Sequence, residues 1–201
     1  MGDNRVSPIE AKFLTSAAAL RDCPVDDVPE VAFVGRSNAG KSSTLNRLTG
    51  TRKLARVSKT PGRTQLINFF DTQLGGRLVD LPGYGYAKAS RARQASWSAA
   101  VDDYLQRRDN LVAVVLVMDA RHPLQPFDIA MIDWAVTRLM PLTVLLNKSD
   151  KLKQGQRAAA RRTVMEKIGA NERIDVVVFS AQTGAGAQET IALVSAYLRS
   201  M

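Results

Sequence analysis

Two hydrophobic patterns alternate along the chain. A continuous apolar run at 112–117 suits a strand covered on both faces. The mainly apolar stretches 30–34 and 142–146 read as further buried strands, and 174–179 as the last. Between them, apolar residues recur at helical spacing. Trp97, Val101, Tyr104 and Leu105 mark a helix over 95–108, and Ile129, Ile132, Val136 and Leu139 mark another. A basic helix follows, with Arg157, Arg161 and Arg162 facing out and Val164 and Ile168 facing in. Ile191, Val194 and Leu198 mark the closing helix. Leu66 to Phe70 reads as a strand that turns at Gly75-Gly76 into Arg77-Leu78-Val79-Asp80, the best hairpin signal in the chain.

Strands alternating with helices predict an α/β, three-layer domain. Its sheet is expected to be mostly parallel and six-stranded, with one antiparallel edge strand and helices on both faces. Ligands of such sheets bind at the C-terminal ends of the strands. Residues 1–29 are expected to form an N-terminal extension packed on a domain spanning 30–201. A helix-like piece around Ile9 to Leu14 would set Phe13 and Leu14 against the domain edge.

Composition narrows the picture in three ways. The 201 residues, with a hydrophobic fraction of 45%, fit one globular domain. No apolar run is long enough to cross a bilayer. Cys23 is the only cysteine, so an internal disulfide is excluded and a reducing cytoplasm is the expected home. The formal charge of +9 points to a polyanionic partner, nucleic acid ahead of membrane. Five of the cations (Arg52, Lys53, Arg56, Lys59 and Arg63) fall within 51–64, where no acidic residue occurs. Thr60-Pro61-Gly62 makes that stretch a loop.

The chemistry begins where the first apolar run ends. Gly35-Arg36-Ser37-Asn38-Ala39-Gly40-Lys41-Ser42 fits G-x-x-x-x-G-K-[ST], the loop that cradles phosphates. Its glycines let backbone N–H groups approach a polyphosphate, and the helix that follows, opening at Ser43, adds its positive end. Lys41 would reach the β- and γ-phosphates and Ser42 would offer its hydroxyl to Mg²⁺. Asp80-Leu81-Pro82-Gly83 follows the hairpin strand, where an Asp can hold Mg²⁺ through a water and the Gly N–H can meet the γ-phosphate.

Asn147-Lys148-Ser149-Asp150 resembles the N-K-x-D box of Ras-like GTPases. Its Asp150 carboxylate can accept both N–H donors of guanine, an edge that adenine does not present. Phe179-Ser180-Ala181-Gln182 matches the S-A-x element that backs the base through backbone N–H groups. Ser37-Asn38-Ala39, Thr60-Pro61-Gly62-Arg63-Thr64-Gln65, Asp80-Leu81-Pro82-Gly83-Tyr84-Gly85-Tyr86-Ala87 and Asp119-Ala120-Arg121-His122-Pro123 together resemble the EngB/YihA/YsxC family of bacterial ribosome-biogenesis GTPases. The resemblance covers nearly the whole chain and implies a Ras-like P-loop GTPase fold. It also implies GTP and GDP as ligands with Mg²⁺ held by Ser42, Thr64 and Asp80, Thr64 letting go after hydrolysis. The family usually carries Thr where this chain has Asn147, the commoner residue across GTPases, so guanine remains the expected base.

Two positions shape the expected mechanism, with Lys41, Thr64 and Asn38 as the catalytic set. Ras-type enzymes orient the attacking water with Gln after D-x-x-G, whereas Tyr84 stands here, so intrinsic hydrolysis should be slow. In related GTPases the Asn of G-x-x-N-x-G-K-S helps hold a K⁺ between phosphates, and Asn38 either does so or stabilises the loop. His122, Trp97 and Trp134 read as structural. The resemblance implies a monomeric switch acting on large-subunit precursors and their rRNA, with a link to cell division and septation. Arg157, Arg161 and Arg162 form either a solvated face or a second RNA contact. Two alternatives stay open: an RNA- or tRNA-processing GTPase, disfavoured by the expected lack of a further domain, and a nucleotide-gated rRNA-binding module with negligible hydrolysis.

Overall fold

The computed structural model describes residues 7–51, 54, 66–84 and 91–199, the side chains of 91–98 excepted. The strands are β1 (Ala11–Ala17), β2 (Glu30–Gly35), β3 (Ile67–Thr72), β4 (Arg77–Asp80), β5 (Leu111–Asp119), β6 (Leu142–Asn147) and β7 (Ile174–Val178). The helices are α1 (Lys41–Leu48), α2 (Arg91–Arg107), α3 (Pro126–Arg138), α4 (Gln154–Ile168) and α5 (Ala187–Leu198). One sheet holds the strands in the order β1-β3-β4-β2-β5-β6-β7. Strands β4, β2, β5, β6 and β7 run parallel. Strand β3 runs antiparallel to β4, as the hairpin signal predicts, and β1 runs antiparallel to β3.

The sheet thus has seven strands where six are expected, because the helix-like piece of the N-terminal segment is β1. Pairing decides the outcome. The outer edge of β3 presents N–H and C=O groups that a strand can satisfy and a helix cannot. The register runs from Ala11 opposite Thr72 to Ala17 opposite Ile67, with a bulge between Phe13 and Thr15. Ile9 and Ala17 supply the burial in this segment. The Phe13 ring meets Phe70 edge-on at 5.9 Å yet stays exposed, as does Leu14.

Period-two alternation along β2 builds two cores. Ala32 and Val34 face one side with Val114, Leu116 and Val144, where Tyr104 of α2, Ile132 of α3 and Val164 of α4 cover them. Val31 and Phe33 face the other with Val115, Leu145 and Val177, under Leu45 and Leu48 of α1 and Ile191, Val194 and Leu198 of α5. These layers match the expected architecture. Helix α3 departs in detail, since Met131, Ile132 and Ala135 are buried while Val136 and Leu139 are exposed. Leu139 adopts a left-handed φ of 53° at the helix end, which takes it off the apolar face.

At the N-terminal edge of the sheet, buried Glu30 accepts hydrogen bonds from the Tyr104 hydroxyl at 2.7 Å and from Arg108 at 2.7 and 2.9 Å. That cluster anchors the C-terminal end of α2 far from the opposite edge. There, the ends of β2, β4, β5, β6 and β7 deliver Gly35, Asp80, Asp119, Asn147 and the segment after Val178 to one place. Strand β2 pairs with β4 on one side and β5 on the other, so the chain after Gly35 sits where strand order reverses, the usual ligand position of such sheets.

Candidate functional site

The loop from Gly35 to Gly40 is shaped by two close approaches. A Cβ on Gly35 would lie 2.6 Å from the Val117 carbonyl oxygen, and one on Gly40 would collide with the Asn147 amide. Gly40 caps α1 with a φ of 101°, and Asn38 also adopts a positive φ of 65°. No acidic residue occupies the first turn of α1, so its positive end is left for an anion. Ser42 is half-buried in that turn and Ser43 is exposed.

Lys41 lies buried at the start of α1 and its ammonium pairs with the buried Asp80 carboxylate at the end of β4. Each of two costly buried charges thus satisfies the other. The segment after Asp80 is laced to the phosphate loop by backbone bonds. Leu81 N–H donates to Phe33 at 3.1 Å, Tyr84 N–H to Gly35 at 3.1 Å, and Ser37 N–H to Tyr84 at 2.7 Å. Pro82 is buried and Gly83 packs against Ser37 and Gly35. The Tyr84 ring stacks on Phe127 of α3 at 4.7 Å, with the planes 12° apart.

The base side is built from three segments. Asn147 donates through Nδ2 to the Ala39 carbonyl at 2.8 Å and accepts from Ala181 N–H at 3.1 Å, bridging the phosphate loop to the loop after β7. Lys148, at a positive φ of 63°, spans from the Asn38 carbonyl at 2.6 Å to Asp119 at 2.9 Å. Ser149 is buried, its N–H donating to the carbonyl of buried Phe179 at 3.2 Å. Asp150 accepts from the Ser180 hydroxyl at 2.7 Å and has Lys151 at 3.3 Å.

Charge follows this geometry. The Ser180 hydrogen bond, with the Lys151 ammonium adding to it, holds the Asp150 carboxyl below the ordinary carboxylate range. Burial alone would raise Asp119, but Arg121 and Lys148 overcome it and keep that carboxyl well below its usual value. Both acids are therefore ionised at neutral pH. Asp128, which caps α3 by accepting from the Gln125 N–H at 3.0 Å, is pushed up by burial to about 6.

The structure brings Gly35, Arg36, Ser37, Asn38, Ala39, Gly40, Lys41, Ser42, Asp80, Gly83, Asn147, Lys148, Asp150, Ser180 and Ala181 around one end of the sheet. Gly62, Arg63 and Thr64 lie outside the described residues, as do Arg52, Lys53, Arg56 and Lys59. One expectation fails. Arg157 does not face out, because its Nε donates to the Ser149 carbonyl at 2.7 Å and the Leu152 carbonyl at 2.9 Å. Its half-buried guanidinium lies on the turn after the N-K-S-D segment. There it holds the Leu152 carbonyl and adds a second donor to the Ser149 carbonyl, which also accepts from the Leu152 N–H at 3.1 Å. Arg161 and Arg162 are exposed, and His122 is exposed in the turn after β5.

Arg47 escapes sequence reasoning altogether, and so does the role of Asp119, which the sequence shows only as part of a motif. Arg47 of α1 reaches the loop after β7, and Asp119 anchors Lys148. Asp119 is the first charged residue after an apolar run and stands in register with Asn147, a signal that could have found it. Nothing in the spacing marks Arg47.

A glycine-shaped phosphate loop, a Lys–Asp pair beside it and a carboxylate at the rim define a P-loop guanine-nucleotide-binding domain. A sequence profile of the 50S ribosome-binding GTPases matches residues 30–148. "Probable GTP-binding protein EngB" of Coxiella burnetii is 50% identical over 192 residues, covering 95% of this chain and 94% of that protein. A solved structure described as a probable GTP-binding protein engB superposes with a TM-score of 0.69 at 24% identity, over 86% of this chain and all of that one. A crystal structure of Era in complex with MgGDPNP and a 16S ribosomal RNA segment gives a TM-score of 0.64 at 23% identity, over 85% of this chain and 57% of that one. The chain belongs to the EngB family of GTP-binding proteins.

Proposed function

We propose that the protein is a slowly hydrolysing GTP switch that binds precursors of the large ribosomal subunit in the cytoplasm and leaves them after hydrolysis. The observation that carries the reading is the joined site, in which Asn147 ties the phosphate loop to the base-backing loop and Asp150 waits ionised beside it. The ribosomal part is supported by the family profile, by the net charge of +9 and by the rRNA seen with Era. The reading places the protein as a monomer, with a link to cell division and septation as in the family.

In this reading Lys41 exchanges Asp80 for the β- and γ-phosphates. The α1 N-terminus and the loop amides hold the remaining oxygens. Ser42 and Asp80 are hard oxygen donors fitted to Mg²⁺, and the Lys41–Asp80 contact marks the carboxylate as already stationed beside a positive charge. Bound there with Thr64, the ion would neutralise charge developing on the phosphates. Thr64 also makes the basic loop at 51–64 sensitive to the γ-phosphate, giving rRNA affinity a nucleotide dependence. Exposed Arg161 and Arg162 supply a second basic surface.

Tyr84 stacks on Phe127 and is no amide, so water orientation falls to other groups and the intrinsic rate is low. Asn38, held at the loop tip by Lys148, is placed to contribute to a K⁺ site. Single-turnover hydrolysis in K⁺ and in Na⁺, with and without large subunits, tests the reading. Slow hydrolysis alone, acceleration by K⁺ and nucleotide-dependent co-sedimentation are expected. Sedimentation indifferent to the nucleotide would contradict the switch, and equal rates in the two salts would leave Asn38 structural.

A further inference from the structure

Arg47 sits near the end of α1, six residues beyond Lys41, and carries no part of any recognised motif. Its guanidinium leaves α1 and grips the loop after β7: Nε donates to the Ala181 carbonyl at 2.7 Å and a terminal nitrogen to the Gln182 carbonyl at 2.6 Å. A Cβ on Gly184 would come within 3.8 Å of the same guanidinium, so the loop passes directly under it. Both bonds are charge-assisted and share one planar donor group, which fixes orientation as well as distance.

The two carbonyls matter because of what lies on their far side. In a trans peptide the C=O of one residue and the N–H of the next point in opposite directions. Holding the Ala181 carbonyl toward α1 therefore aims the Gln182 N–H the other way. The other amides from Ser180 to Ala185 are already used. Ser180 N–H donates to Ala185 and Gly184 N–H to Ser180. Ala181 donates to Asn147, Thr183 to the Ser180 hydroxyl and Ala185 to the Thr183 hydroxyl. From Ser180 to Ala185, only the Gln182 N–H has no acceptor among the described residues. Its peptide is the one Arg47 fixes.

We infer that Arg47 is a positioning residue for guanine recognition, which pins the Ala181–Gln182 peptide so that its free N–H addresses a base acceptor and joins the base loop to the phosphate-binding helix. The inference rests on the guanine-nucleotide reading of the site and goes beyond it. Asp150 reads the donor edge of the base, while the pinned N–H reads an acceptor. Guanine carries a carbonyl oxygen at position 6, whereas adenine carries an amino group whose hydrogens would face the N–H. Arg47 thereby enforces rejection of adenine, from a helix that touches only phosphates. Since the same helix begins at Lys41, the two halves of a bound nucleotide are held by one rigid element.

Fluorescent GDP release, GDP and ADP affinities and the melting temperature of the nucleotide-free protein are measured for wild type, Arg47→Ala and Arg47→Lys. Arg47→Ala should release GDP about tenfold faster and lose a similar factor in preference for GDP over ADP. Its nucleotide-free melting temperature should match wild type, because the guanidinium is exposed. Arg47→Lys, with a single donor group, should recover part of the loss. Wild-type GDP release from Arg47→Ala would overturn the inference. So would equal losses for GDP and ADP accompanied by a lowered melting temperature, which would make Arg47 a fold contact only. Failure of wild type itself to bind GDP would instead remove the guanine-nucleotide reading.

Discussion

The base side and the phosphate side of the site solve the same problem in opposite ways. On the base side the loops are satisfied by the protein itself: Asn147, Lys148, Arg47 and Arg157 each hold a backbone carbonyl, and Ser180 holds Asp150. On the phosphate side the two buried charges, Lys41 and Asp80, hold each other. The first arrangement holds its shape without a ligand, leaving the Gln182 N–H for the base, and so offers a pocket already shaped. The second is complete only until something more negative than a carboxylate arrives. A site so divided can fix the base without reorganisation and reserve its structural response for the phosphates, where GTP and GDP differ.

Breaking the phosphate side should have the largest effect. Lys41→Ala leaves Asp80 as a buried carboxylate with no counter-ion, a change that costs about 3–5 kcal/mol of stability in typical cases. Chemical unfolding of the nucleotide-free protein should show that loss, and GTP binding should fall by about a hundredfold or more, since the phosphates lose their buried cation. A Lys41→Ala protein as stable as wild type would mean that the pair is not a stored charge contact.

On the base side, Asp150→Asn should leave the fold intact and alter only which base is read. The amide turns a donor toward the donors of guanine, so GTP affinity should drop by about two orders of magnitude. Xanthosine triphosphate, with an oxygen in place of the amine, should bind better than it does to wild type. Titration of both nucleotides against the variant checks this, and unchanged GTP affinity would refute the assignment of the guanine box.

The smallest effect is the pH dependence that Asp119 brings. Its folded carboxyl titrates below the unfolded value of about 3.9, so its contribution is present above that value and lost as pH falls through the folded one. Asp119→Asn should therefore be less stable than wild type at pH 7, with the gap closing as the solution is acidified below about pH 4. Melting temperatures across that range check the sign, and a gap that widens in acid would reverse it.

The sequence discloses the two sides unequally. The central strands and the phosphate loop are legible because burial on both faces and a glycine-lysine spacing leave few alternatives. Strand β1 is not, since Ile9 to Leu14 carries a spacing that suits either periodicity and only the open edge of β3 decides it. The basic face of α4 misleads for a related reason. Charge alone sends Arg157 to solvent, yet the carbonyls of Ser149 and Leu152 draw it inward. Arg47 is invisible because its partners are backbone atoms more than a hundred residues away, and backbone partners leave no mark in a sequence.

Hydrogen exchange of individual amides, in the nucleotide-free protein and after GDP is added, tests most directly whether the base side is built in advance. The amides of Ala181 and Thr183, bonded internally at 3.1 Å each, should already be protected without nucleotide and change by less than about threefold on binding. The Gln182 amide should exchange freely at first and gain protection only with GDP. Ala181 and Thr183 amides that exchange freely until the nucleotide binds would contradict a pocket shaped before its ligand.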